Sequence, residues 1–277
     1  MLIEEKALKH WIDHFYGYGS WHAKIWFVGY EEGGGDLPEE VAEKFNYFYN
    51  VHASTTQPTL CDIRELYRHV TFRVDGPRAG KFANLNDHRF GKNATLHGAW
   101  KNLIAFVHGY KNCLPASQEN LLELLTYQQN SFALHSMPTE ALIQLYPLPS
   151  THNHAWYYSW LDQPQFPFLK NRTLYQEHLF SIRMQGILDN LSAHKPEVVL
   201  MYGMDNINAL KKSVIDFFPE AKFNMVKATK QQIPQYHRAD FKGTTLLITT
   251  QVPTLRHKRI ETGFDWQEFG KIVKADS

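Results

Sequence analysis

Four short apolar runs set the frame of this chain: Ile25–Val28, Ala141–Leu145, Val198–Met201 and Leu246–Ile248. Each is only a few residues long and is closed by glycine, proline or polar residues, which suits buried strands. The first stops at Gly29. The second carries Gln144 and runs into Tyr146-Pro147-Leu148-Pro149, where the prolines end it. The third is followed by Gly203, and the fourth by Gln251-Val252-Pro253. Stretches with helical spacing lie before, between and after these runs: Leu2–Tyr16, Leu37–Asn50, Leu96–Tyr110, Gln118–Gln129, Arg172–Ala193, Asp205–Phe217 and Phe264–Val273. Such alternation predicts an α/β fold, a three-layer α/β/α sandwich around a short, mainly parallel β-sheet. Thr59–Val70 also reads as a helix, and Phe223–Val226 as an edge strand. Thr71–Asn93 reads as a long basic loop (Arg73, Arg78, Lys81, His88, Arg89, Lys92), either solvated or reaching phosphates. With no repeat or clear linker, residues 1–277 read as a single domain with a largely helical insertion at about 51–135.

Composition narrows the function classes. The net charge of +1 excludes a global basic footprint but leaves room for a local groove. Cys61 and Cys113 cannot supply a four-thiolate zinc or iron–sulfur site and read as free thiols of an intracellular protein. His152 and His154 have metal-ligand chemistry but no clear third ligand, so no metal and no other cofactor is expected. Met1–His10 does not read as a signal sequence, and no run approaches a membrane span. A cytoplasmic protein without a membrane or an obligate protein partner is the expectation.

The strand exits hold the chemistry. Gly29-Tyr30-Glu31-Glu32-Gly33-Gly34-Gly35 puts two carboxylates on a turn where a ligand can approach the backbone. Gln144 puts a primary amide at a second exit. Gln251 through Leu255-Arg256-His257-Lys258-Arg259 puts an apolar tip among cations at a third. Between them, Trp156, Tyr157, Tyr158 and Trp160 fill an aromatic loop. In a parallel sheet these exits converge on one edge. Each also has a plainer reading: a solvated acidic turn, an amide satisfying a strand end, packing aromatics and a core leucine.

In this order and placement the motifs resemble the uracil-DNA glycosylase-like superfamily. Gly29-Tyr30-Glu31-Glu32-Gly33 matches its first motif, of patterns such as G-Q-D-P-Y or G-E-A-P-G, with Glu32 in place of the usual proline. Ile143-Gln144-Leu145-Tyr146-Pro147 is similar to its base-reading strand end, with Gln144 for Asn. The stretch from the Arg172 helix to Gly203 is similar to its helix–strand–glycine step. Gln251-Val252-Pro253-Thr254-Leu255 stands where H-P-S-P-L is usual, with Gln251 for His.

The resemblance implies a monofunctional DNA glycosylase with DNA as partner. Glu31 and Glu32 would be its catalytic carboxylates. Gln144, Tyr30, Trp156, Tyr157 and Gln251 would bind the base. Leu255 would be the wedge, with Arg256, His257, Lys258 and Arg259 on the DNA. The insertion and aromatic loop suit a bulky modified base, such as those of phage DNA, better than plain uracil. Two other readings stand beside this one. The first is a non-catalytic nucleic-acid- or nucleotide-binding module on the same fold. The second is a metal-dependent hydrolase using His152, His154 and the carboxylates.

Overall fold

The computed structural model describes residues 3–34, 38–72, 76, 78–111, 121–150, 156–161, 164–228, 233–253 and 264–276. Four strands form its centre: β2 (Ile25–Gly29), β4 (Glu140–Gln144), β5 (Val198–Met201) and β8 (Thr244–Ile248). Every residue in them is buried, as expected of parallel strands covered on both faces. β2 lies between β4 and β5, β8 lies beyond β5, and all four run parallel. Gly29 pairs with Gln144, Val28 with Met201, and Met201 with Ile248. The four carboxyl ends therefore finish in one row.

The sheet is wider than the short one expected. Among the described residues it has eight strands, with β1 (Phe15–Tyr18) and β3 (Thr59–Cys61) beyond β4, and β7 (Tyr236–Phe241) and β6 (Asn224–Val226) beyond β8. β1 runs antiparallel to β4, β3 parallel to β1, and β7 and β6 each antiparallel to the strand before. The result is an α/β sandwich with a mixed sheet and a parallel centre.

Two expectations change here. The first helix, α1 (Glu5–His14), stops before Phe15, and the chain turns directly into β1. Gly17 makes this possible: it adopts φ +136°, and a side chain there would strike the Leu142 carbonyl of β4. Thr59–Cys61 is a strand rather than a helix start, and only Ile63–Arg68 (α3) is helical, capped by Asp62.

The helices form two packed groups. α1 meets α2 (Pro38–His52), α2 meets α3, and α3 meets α4 (Leu85–Phe90). From α4, contacts run through α6 (Leu121–Asn130) and α5 (Gly98–Tyr110) to α9 (Trp266–Ala275). The second group is α7 (Arg172–His194) with α8 (Ile207–Phe217). The stretch 51–135 thus supplies β3 as well as α3 to α6. Inside the expected basic loop, α4 is capped by Asn84, and Arg78 and Arg89 lie over the rings of Phe72 and Trp100.

Arg183 of α7 fastens this group to the sheet. It is fully buried and donates to the carbonyls of Phe15, Gln144 and Leu145, with its guanidinium 3.4 Å from the Tyr16 ring centre. Three carbonyls and a ring face replace the lost water. No helix among the described residues is long and apolar enough to cross a membrane.

Candidate active site

The chain leaves β2 toward β4 on one side and leaves β5 toward β8 on the other. Their exits diverge, and ligands of open α/β sheets bind at such switch points, outside the carboxyl ends of the strands. A cavity of about 380 Å³ lies there. Leu145, Met204 and Leu210 form its buried floor, Tyr30, Tyr146 and Phe180 its walls, and Thr173, Gln176, Glu177 and Asn206 its mouth. Tyr30 and Tyr146 meet edge to face, with ring centres 4.9 Å apart.

The adjacent carboxylates Glu31 and Glu32 have separate surroundings. Glu31 meets α7: one Arg172 nitrogen donates to both its oxygens at 2.5 and 2.7 Å. The other terminal nitrogen donates to Ser150 Oγ at 2.6 Å, and the guanidinium lies 5.2 Å from the Trp156 ring centre. Burial pushes the Glu31 carboxyl above its usual range, while Arg172 pulls it back. The Glu31 charge also reaches the cavity. Burial raises the hydroxyls of both Tyr30 and Tyr146, and the carboxylate adds to each shift.

Glu32 is enclosed by other elements. It accepts from Lys44 Nζ of α2 at 2.6 Å, and from the hydroxyls of Tyr67 and Tyr18 at 2.8 Å each. Burial pushes both phenols well up, and the Glu32 charge adds to this, so both remain donors. Lys44 is itself buried. The Glu32 backbone carbonyl accepts from the Ser150 amide, and the Ser150 carbonyl accepts from Gly34, fixing the acidic turn against the exit of β4. Glu32 is thus a support of the turn, enclosed away from the cavity.

Gln144 is buried behind the cavity, beside Gly29 and Tyr202, and its Oε1 has no hydrogen-bond partner. A side chain at Gly29 would come within 2.7 Å of the Tyr202 hydroxyl and 3.4 Å of Gln144 Oε1. The glycine is what lets this amide and phenol share the strand exit. Trp156 stands over Arg172 and donates to the Leu169 carbonyl. Tyr157 faces another, largely apolar cavity with Ile3, Pro38, Val41 and Trp160. Gln251 lies at the exit of β8, where its carbonyl accepts from Gly203. The structure thus gathers Tyr30, Glu31, Gln144 and Trp156 and sets Glu32 and Tyr157 apart. Leu255, Arg256, His257, Lys258 and Arg259 lie outside the described residues, as do His152 and His154. Among the described residues no group of three or more His, Cys, Asp or Glu could hold a metal ion.

Arg172, Ser150, Tyr146 and Tyr202 belong to the site and were not singled out from sequence. One signal pointed to Arg172. It is the first residue of α7, after the Asn171 cap, where the helix dipole disfavours a cation and a partner carboxylate is to be expected. Comparisons with protein-family models, curated proteins and solved structures give no match.

Proposed function

We propose that this protein is a monofunctional, cytoplasmic DNA glycosylase that hydrolyses the N-glycosidic bond of a base turned out of the DNA stack, with Glu31 as its catalytic carboxylate. One observation carries the reading: a carboxylate whose side chain is nearly buried stands at the switch point of the sheet, next in the chain to Tyr30, which walls a cavity with Tyr146 and Phe180, and its charge is felt by both tyrosines. Glycosidic cleavage develops positive charge on the sugar and negative charge on the departing base. A fixed carboxylate stabilises the first and can take a proton from the attacking water. The contacts with Arg172 do not exhaust Glu31, because two carboxylate oxygens offer about four acceptor sites. Arg172 orients the group, and Glu32 holds the turn that carries it. The aromatic walls suit a flipped base, and the volume lies within the range of ordinary ligand sites. A bulky modified base, such as those of phage DNA, is the substrate class we favour.

The test is abasic-site formation. The protein and its Glu31→Gln variant are incubated with single- and double-stranded DNAs carrying uracil, deaminated purines or bulky modified cytosines, then treated with alkali. Strand breaks on one substrate, reduced by about 10²–10⁴-fold in the variant, are expected. The ion pair with Arg172 also favours a second reading, a non-catalytic nucleic-acid-binding module, because it engages both Glu31 oxygens. DNA binding without breaks on any substrate, unchanged by Glu31→Gln, would establish that module instead.

A further inference from the structure

The cavity between α7 and α8 makes one unambiguous polar demand. Its floor and walls are apolar or aromatic, and its polar side chains stand at the mouth. Thr173, Gln176 and Asn206 can each donate or accept a hydrogen bond, whereas the Glu177 carboxylate only accepts. Among the described lining residues there is no Lys, Arg or His. Asp205, beside Asn206, adds negative charge that Tyr30 already senses. A phosphate or carboxylate entering here would meet like charge with no cation in the lining, since Arg172, whose charge Tyr30 also feels, is held by Glu31. A flat ring with an amino group on its edge would meet aromatic walls and a waiting acceptor.

We propose that this cavity is a nucleobase subsite that selects bases bearing an exocyclic amine, of the cytosine or adenine type, over their oxo counterparts, with Glu177 as the selecting acceptor. The proposal rests on the glycosylase reading for the base's arrival from DNA, but recognition itself needs no cleavage. A carboxylate accepts from a cytosine amino group. A uracil-type edge presents a carbonyl at the same place, so two acceptors would face each other across the mouth. Glu177 is exposed and lies on the second turn of α7, so it can be replaced without disturbing the core.

The experiment is calorimetric titration of the full chain with 1-methylcytosine and, separately, with 1-methyluracil. The amine-bearing base is expected to bind about tenfold more tightly, the worth of one hydrogen bond to a charged group. In Glu177→Gln the difference should shrink to about twofold, because an amide can also donate to the oxo base. Thr173→Trp, which fills the mouth from an exposed position, should abolish binding of both. Equal affinities, a preference for 1-methyluracil, no binding of either at millimolar concentration, or a preference unchanged in Glu177→Gln would overturn the proposal. Base preference without abasic-site formation would remove the catalytic reading and leave the subsite standing. Abasic-site formation without base preference would do the reverse.

Discussion

Glu31 and Glu32 are neighbours in the chain and opposites in the fold. Glu32 sits among three donors, two of them phenols and one a buried ammonium, on elements that come from both sides of it in sequence. Among the described residues the counter-ion of Glu31 is Arg172, which is itself 16% exposed along its side chain and leans on Trp156. One carboxylate ties α2, α3 and β1 together, and the other is held on α7 by Arg172, next in the chain to a wall of the cavity. The difference teaches that a charged pair at a strand end is not one functional unit. Its two members meet different partners, Arg172 of α7 on one side and Lys44, Tyr18 and Tyr67 on the other.

The sharpest way to break this comparison is Glu32→Gln. It removes the charge facing Lys44 and places an amide donor among donors, so a loss of about 3–5 kcal/mol is expected in urea unfolding. A loss below 1 kcal/mol would mean that the enclosed cluster supports nothing.

Glu140, at the opposite end of β4, sharpens the contrast because its hydrogen bonds come from neutral donors. It is fully buried and accepts from Tyr127 and from the Ala133 amide, and burial raises its carboxyl to about 7. A carboxyl raised on folding stabilises the protein when protonated. That stability is fully present below about 4.5 and is lost as pH rises to about 7. Unfolding free energy measured against pH should fall by about 3 kcal/mol across this window relative to Glu140→Gln. Parallel profiles for the two proteins would refute the assignment.

Gly29→Ala comes next, at about 1–3 kcal/mol, because the new methyl meets the Tyr202 hydroxyl at 2.7 Å. A double-mutant cycle with Tyr202→Leu should recover part of the loss. Additive effects would show that the ring is not what excludes the side chain.

The smallest expected change in stability is that of Glu31→Gln, about 1 kcal/mol, since Arg172 keeps Ser150 and Trp156 and the amide oxygen still accepts. If urea unfolding placed this variant level with Glu32→Gln, the two carboxylates would be equivalent and the comparison would fail.

Much of the sandwich was legible in the sequence, and for a definite reason. β2, β4, β5 and β8 are buried on both faces, so they appear as apolar runs that no surface helix would carry. β1 was hidden because Phe15 and Tyr16 continue the apolar spacing of α1, and only the φ of Gly17 breaks it. β3 is too short to show a period, and β7, antiparallel to β8 and outside the four parallel strands, carries Arg238 and Asp240 among its apolar residues. At the site, the position of Glu31 followed from the strand it leaves, but the division of labour with Glu32 did not. That division depends on Lys44, Tyr67 and Arg172, which come from three different helices. Pairings of this kind leave no local pattern in the chain.

The order in which the central strands pair has a consequence for how the protein is made. β2 lies between β4 and β5, so it has no parallel partner until residues 140–144 have been added. At roughly 5–20 residues per second, the run Ile25–Val28 waits on the order of ten seconds on the ribosome with its ladder unfilled. A nascent chain at that stage exposes Trp26 and Phe27 together with an open strand edge, so it is a natural client for a chaperone that holds short apolar segments.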